Sequence, residues 1–478
     1  MKKRGVPIIF SSTKKFFISF LFLTMIISVF AGCKKTPPEP ITLKIWGLWD
    51  DESTIDATIK DFEDSHQNAQ YQFQQGKKTV TKSFQVKIEY EKKDISTYES
   101  ESASALASNT GPDIWLIRND WMPKQRDKLV ALPSSLTRSK SYAETFNLIG
   151  DETKWKAPKK ELSDIEVLQN YNNTFFDVAY QDNTDQNKVY GLPLSIDTLA
   201  LYYNKNNLSD AGVSAPKTWN ELTDSISKLT QKKGNSIDHA AVALGTAKNI
   251  DRASDIFAML LYQNGVPIIS STESRALFND PKTEPGGNVS VPGQEVLNFY
   301  TSFSNSSSPN YTWNNDIPKD LDAFIDGKTA MIIGYSYLVP EITRRASFGW
   351  DISAVPQQKD KSEKNLAQYW VYTVTNSSQY PQIAWDFLLN LTNKQHSQQY
   401  LEKTKKPPAR QDLVNQESFN SVFNKQLANA TSWPKKEPET FEKIFRDMID
   451  SVADGVQTSD ISMPTAAKEI TDILSKSQ

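Results

Sequence analysis

The chain has 478 residues, a formal net charge of −3 and 38% hydrophobic residues. That length exceeds what one hydrophobic core supports and fits two or three domains. The mildly acidic balance gives no basic footprint for nucleic acid or an anionic membrane surface. A single cysteine, Cys33, excludes a disulfide framework.

The first segment carries Lys2, Lys3, Arg4, Lys14 and Lys15, then an apolar run over 16–30 broken only by Ser19, Thr24 and Ser28. Ala31 and Gly32 follow, and then Cys33. Basic start, apolar middle and small-residue end are the layout of a secretory signal. The sequence Val29-Phe30-Ala31-Gly32-Cys33 resembles a bacterial lipobox, with Phe30 where Leu is usual. The resemblance implies that Cys33 is lipidated and becomes the mature N-terminus. An uncleaved anchor is the alternative, but the apolar run is short of the ~20 residues that span hydrocarbon. An ordinary signal cut before an incidental cysteine is another. All three put the rest of the chain outside the cytoplasm. Without the five basic residues of 1–32 the net charge falls from −3 to −8. Residues 33–40, with three prolines, read as a tether.

Ile41-Thr-Leu-Lys-Ile45 alternates as a strand, and Ile55, Ile59 and Phe62 recur at helical spacing. Phe84 to Tyr90 alternates again, Ala103, Leu106 and Ala107 mark a helix, and 113–117 is a third strand. Strand, helix, strand, helix, strand is the rhythm of a mostly parallel sheet. Residues 70–83 read as an exposed loop or irregular hairpin, and 134–187 as polar helices and loops. Thr218-Trp-Asn-Glu221 has capping-box spacing before Leu222, Ile226 and Leu229. A helix containing Ile256, Leu260 and Leu261 ends at Gly265, and 282–293 is a loop. A short helix around Leu321 and Phe324 leads to a strand over 329–333. Strands over 350–355 and 369–375 follow. Later helices are lined by Ala384, Phe387, Leu388 and Leu391, by Phe441, Phe445, Met448 and Val452, and by Ala466, Ile470 and Ile473.

Catalytic signatures are absent. His66, His239 and His396 share no ligand spacing. No nucleophile elbow, phosphate loop or dinucleotide fingerprint occurs, and Gly286-Gly287 lies in a proline-containing loop. No cofactor and no metal is expected. Adjacent carboxylates such as Asp50-Asp51 are unremarkable among 57 acidic residues.

Tyr190-Gly-Leu-Pro193, Leu199-Ala-Leu-Tyr-Tyr-Asn-Lys205, Ala211-Gly212 and Pro216-Lys-Thr-Trp-Asn-Glu-Leu222 stand in an order and spacing that resembles the extracellular solute-binding proteins of family 1. These are the sugar-binding receptors of ABC importers, typified by maltose-binding protein. Gly111-Pro-Asp-Ile114 with Trp121 and Leu129-Val-Ala-Leu132 resembles a second family block, and Leu260-Leu261 with Asn264-Gly265 a third. Ala323-Phe324 with Gly327-Lys-Thr-Ala-Met331 resembles a fourth, and Ala384-Trp-Asp-Phe-Leu388 the family's late helix. The departures are the insertions at 70–83 and 134–187 and Ala367-Gln368 where the family has Gly-Gly.

The resemblance implies a two-lobed α/β fold of the periplasmic-binding-protein type II, with a ligand cleft between lobes joined by hinge strands. The boundaries read from the sequence are a signal over 1–32, a tether over 33–40, one lobe from 41–195 and 357–400, and the other from 196–356 and 401–478. The chain is expected to cross near 194–198, near 354–357 and around 392–407. Ligands of open α/β sheets sit beyond the carboxyl ends of strands. The candidate ligand residues are therefore Trp49 and Asp50, then Arg118, Asp120 and Trp121, then Asp197, Tyr335, Tyr337, Tyr369 and Trp370. Aromatic rings cover the apolar faces of a sugar and carboxylates bind its hydroxyls. The competing reading is that a Trp or Tyr near a strand end is core, and Trp46, Trp115 and Trp219 are read as packing. The expected function is a lipid-anchored, extracytoplasmic, monomeric receptor on the outer face of the cell membrane. It would pass a mono- or oligosaccharide to an ABC permease, without catalysis and without nucleic acid. A receptor for a phosphorylated sugar or polyamine, a tethered glycan-degrading enzyme and an adhesin are the rivals.

Overall fold

A computed structural model of the chain describes residues 37–134, 141–142, 154–155, 164–234, 236–270, 274–415, 421–433 and 435–476. The signal over 1–32, Cys33 and the start of the tether lie outside the described residues, as does most of the insertion between 135 and 163.

Period decides the first elements. In β1 (Glu39–Gly47) Ile41, Leu43 and Ile45 are buried while Thr42 and Lys44 face solvent. The helix α1 (Asp56–Ser65) buries Ile59 and Phe62. The chain continues through β2 (Ala69–Gln75), β3 (Lys78–Lys92), α2 (Ile95–Ala107) and β4 (Ile114–Arg118). Strands β3 and β4 flank β1 in parallel, as the alternating strands and helices require.

The chain leaves through β5 (Leu192–Pro193) and β6 (Asp197–Thr198) into β7 (Ala200–Asn204). A second lobe follows: α3 (Trp219–Leu229), β8 (Gln231–Lys233), β9 (Ser236–Val242), α4 (Ala253–Gln263) and α5 (Pro292–Ser302). It continues with α6 (Asp320–Ile325), β10 (Thr329–Gly334) and β11 (Trp350–Ala354). Strand β12 (Asn365–Gln368) crosses back to β13 (Trp370–Val374), α7 (Pro381–Leu391) and α8 (Lys394–Thr404). Finally β14 (Ala430–Thr431) leads to α9 (Pro438–Ala453) and α10 (Ser459–Lys476) on the second lobe.

The first sheet has the order β2-β3-β1-β4-β13-β5 and the second β8-β9-β10-β7-β11. Between them β6, β12 and β14 form a small ladder of their own, so the lobes are joined by three crossing strands. Each lobe has a separate core. Leu43, Phe84, Ile117, Val371 and Phe387 belong to one, and Leu201, Phe257, Met331, Trp433 and Phe445 to the other. Helix α3 starts as its sequence predicts: the Thr218 hydroxyl oxygen accepts from the Glu221 N–H at 3.2 Å. The Glu221 carboxylate reaches back one residue further than the usual box, accepting from the Lys217 N–H at 2.7 Å.

Three readings need correction. Residues 70–83 are neither loop nor irregular: β2 and β3 form a continuous antiparallel hairpin turning at Gly76, whose φ is +64°. Tyr71 is fully buried, and its hydroxyl donates to Asp386 at 3.1 Å. The glutamines between the apolar positions hide a period of two inside a polar composition. Residues 282–293 are not all loop, because α5 begins at Pro292, a position where the missing N–H costs nothing. The crossings also lie elsewhere. Leu366 packs in the second core and Ala367 in the first, about ten residues past 356–357. Leu401 and Ala409 still pack in the first core, while Phe423 and Trp433 pack in the second. The third crossing therefore follows Ala409, later than 392–407.

Candidate functional site

On the first lobe, the carboxyl end of β1 runs into Gly47-Leu48-Trp49-Asp50. A Cβ on Gly47 would fall 2.1 Å from the Tyr90 hydroxyl, so only glycine lets Tyr90 close over this loop. Tyr90 then donates to the Asp50 carbonyl at 2.6 Å. The loop so held presents Trp49 outward, 50% exposed. Its ring stands edge-on to Trp370, the first residue of β13, at 5.8 Å. Trp370 stands edge-on to Trp121 at 5.7 Å. The three indoles form a row at this lobe's strand ends, with Trp121 buried beneath and Trp49 at the rim.

On the second lobe, β10 ends in Tyr335-Ser336-Tyr337. Tyr337 is 50% exposed, and its hydroxyl accepts from Arg252 Nε at 2.8 Å. The same guanidinium donates through Nη1 to Gln368 Oε1 of the hinge strand β12 at 3.3 Å. It lies 5.5 Å from the Tyr335 ring centre and 5.3 Å from that of Tyr337. One residue, Tyr369, separates Gln368 from Trp370, so the strand-end loops of both lobes converge on the hinge. Among the described residues, Trp49 and Tyr337 are the large aromatics left most open to solvent, one per lobe.

The carboxylates of this region are engaged. Asp50 accepts through both carboxylate oxygens from the Lys406 ammonium, at 2.8 and 3.1 Å, and from the Tyr400 hydroxyl at 2.7 Å. Asp197 accepts from the Ser336 N–H at 2.9 and 3.1 Å, from the Ser336 hydroxyl at 2.7 Å and from the Thr198 N–H at 2.9 Å. Burial still pushes the Asp197 carboxyl up to about 6. Its place is therefore a tie between hinge strand β6 and the turn after β10, beside the cleft. Asp120 faces Lys435 at 2.9 Å and Arg118 on its other side, and Arg118 reaches Glu442 at 2.8 Å. Burial works against the charge of Asp120, but Lys435 and Arg118 outweigh it and hold the carboxyl below its usual range. Arg118 and Asp120 come from the first lobe, Lys435 and Glu442 from the second, so this cluster clamps the lobes together.

Two expected ligand residues face the wrong way. Tyr369 points into the first core, where its hydroxyl donates to Asp182 at 2.7 Å. Asp182 also accepts from Asn119 at 2.9 Å and from the Ser432 hydroxyl, and burial pushes it up to about 6. Tyr335 is buried as well, with its hydroxyl 3.3 Å from Asp255 and its carbonyl accepting from Tyr202 at 2.6 Å. Trp46, Trp115 and Trp219 are buried packing residues.

The structure thus brings Trp49, Trp121 and Trp370 together on one wall and Tyr337 on the other, with Arg118 and Asp120 in the clamp. Asp50 stands apart in its own ion pair. Sequence reasoning missed Arg252, Gln368, Lys435 and Glu442. Arg252 follows the loop after β9, a strand whose polar start gave no signal.

A family model for the bacterial extracellular solute-binding proteins matches residues 72–429. The ABC transporter periplasmic-binding protein YcjN of Escherichia coli (strain K12) is 23% identical over 259 residues, 53% of this chain and 55% of that protein. The galactooligosaccharide-binding protein of Bacillus subtilis (strain 168) is 22% identical over 281 residues, 57% of this chain and 61% of that protein. The chain therefore spans little more than half the length of the curated relatives it matches. Among solved structures, the cyclic alpha-maltosyl-1,6-maltose binding protein from Arthrobacter globiformis superposes with a TM-score of 0.68 at 18% identity, over 91% of this chain and 99% of that one.

Proposed function

We propose that this chain, which belongs to the bacterial extracellular solute-binding proteins, captures a mono- or oligosaccharide between its lobes and delivers it to the permease of an ABC importer. It works outside the cytoplasm, held to the outer face of the cell membrane by a lipid on Cys33. It does no chemistry on its ligand.

The observation that carries the reading is the pair of half-exposed rings, Trp49 and Tyr337, on opposite lobes at strand ends that meet at the hinge. Exposed rings backed by buried ones are what a flat, hydroxylated ligand needs: stacking faces above, hydrogen-bonding groups at the edge. Trp49, Trp370 and Tyr337 are the stacking surface and Arg252 and Gln368 the polar rim, with Arg118 held in the inter-lobe clamp. Asp50, Asp120, Trp121, Asp197, Tyr335 and Tyr369 hold that surface in place from behind. One curated relative is a galactooligosaccharide-binding protein and the superposed Arthrobacter globiformis protein binds cyclic alpha-maltosyl-1,6-maltose, both saccharide ligands.

A thermal-shift screen tests the reading. Malto- and galactooligosaccharides, monosaccharides, a hexose phosphate and spermidine form the panel. A saccharide at 100 times its dissociation constant should stabilise the protein by about 2.7 kcal/mol. Stabilisation by spermidine or the phosphate alone would replace the sugar with a charged solute. Turnover of a chromogenic glycoside would make the protein an enzyme.

The anchor has its own test. Replacing Cys33 with Ser should abolish incorporation of a fatty-acid analogue and leave unprocessed or released protein, since Cys33 is the chain's single thiol. Undiminished label on the Cys33→Ser chain would refute lipidation at this residue.

A further inference from the structure

The hairpin strand β2 is the outermost strand of the first sheet, with β3 as its one ladder neighbour among the described residues. Sheets usually blunt such an edge with lysine, proline or a bulge, because its outward backbone groups are a template for another strand. Strand β2 has none of these. Ala69-Gln-Tyr-Gln-Phe-Gln-Gln75 contains no charge, no proline and no glycine, and its seven positions pair with β3 without a shift of register.

The sequence of β2 is close to a palindrome. Centred on Gln72, position 71 is matched by 73, both aromatic, and 70 by 74, both glutamine. The flanks run the other way in charge. Glu63 and Asp64 precede the strand at the end of α1, where Glu63 accepts from the Ile88 N–H at 2.8 Å and Asp64 faces Lys60 at 3.1 Å; Lys77 in the turn and Lys78 at the start of β3 follow it. An antiparallel pairing of two copies about Gln72 sets aromatic against aromatic and glutamine against glutamine over 70–74, with Ala69 facing Gln75 at each end. It also sets each basic turn beside the other copy's acidic helix end, twice. A parallel pairing would oppose like charges at both ends.

We propose that β2 is a self-association edge, through which two copies of this chain pair antiparallel and two-fold symmetric, with Gln72 facing Gln72 on the axis. The pairing is isologous, so it closes at two copies. It joins two six-stranded sheets into one. A seven-residue ladder buries less than the ~1,200–2,000 Å² of a stable interface, so the dimer is weak and reversible. This departs from the monomer expected from the sequence and is independent of the ligand.

Symmetry supplies the test. Residues opposite each other on antiparallel strands have Cα atoms about 4.5–5.5 Å apart, within disulfide reach. In the full chain, kept in detergent at ~0.1–1 mM, oxidation should join Gln72→Cys chains into dimers. It should leave Lys87→Cys chains, changed on the exposed face of β3, single. In sedimentation velocity the wild type should show a concentration-dependent dimer. Gln72→Lys and Gln72→Glu should each lose it, because like charges then meet on the axis. An equimolar mixture of the two should regain it. A wild type that stays monomeric at the highest concentration overturns the proposal. So does a Gln72→Lys chain that dimerises as the wild type does, or a cross-link no stronger at position 72 than at position 87.

Discussion

Replacing Lys435 with methionine should destabilise the protein by about 3–5 kcal/mol, the usual cost of stranding buried partners of an ion pair. The Lys435 side chain is 2% exposed, and its ammonium contacts Asp120 at 2.9 Å and Glu442 at 3.0 Å. Taking the ammonium away leaves both carboxylates to Arg118 alone, in a site that water barely enters. The cost arises less from the lost attraction than from the acids left behind. Adding Asp120→Asn and Glu442→Gln to the Lys435→Met chain should therefore recover much of the loss. Urea unfolding of the three chains decides this. A loss under ~1 kcal/mol for Lys435→Met alone would mean that water replaces the ammonium, as at exposed pairs. The clamp also bears on motion. Arg118 and Asp120 sit on one lobe and Lys435 and Glu442 on the other, so hinge opening has to break these contacts or turn about them.

Of that cluster the sequence singled out Arg118 and Asp120, and as ligand residues; Lys435, Glu442 and the pairing itself were not legible. Arg118 and Glu442 stand 324 positions apart, and nothing local marks a charge that will be buried by a distant helix. The lobes were legible, because Ile41, Leu43 and Ile45 declare a strand by period, and Thr218 with Glu221 declares a helix start by its cap. The hairpin was half hidden, because its apolar residues alternate with glutamine instead of with charge. The third crossing was misplaced because Leu401 and Ala409 pack where the first lobe still needs cover, which no local pattern reveals. At the site the error was one of side. Tyr369 and Trp370 are neighbours near a strand start, and successive side chains of extended backbone face opposite ways. Only one of the two can reach the cleft, and the core takes Tyr369 for its bond to Asp182.

Truncating Trp49 and Tyr337 to alanine should weaken ligand binding by about 1–3 kcal/mol each, the range of aromatic hot spots, with little change in stability. Both rings are half exposed, so their loss opens no core cavity. Tyr337→Ala also frees Arg252 from its bond to the Tyr337 hydroxyl, and Tyr337→Phe separates that effect from the loss of the ring. If stacking dominates, Tyr337→Phe keeps most of the affinity; if the hydroxyl positions Arg252 for the ligand, it does not. Trp121→Ala is the contrasting case. Trp121 is buried under Trp370, and deleting a buried indole costs about 3–5 kcal/mol of stability. Its effect on binding should come through a displaced Trp370 and so appear together with a lowered melting temperature. Calorimetric titration beside thermal unfolding, using the saccharide found in the screen, separates the two classes. Unchanged affinity in both Trp49→Ala and Tyr337→Ala would move the ligand away from these rings and overturn the cleft drawn between them.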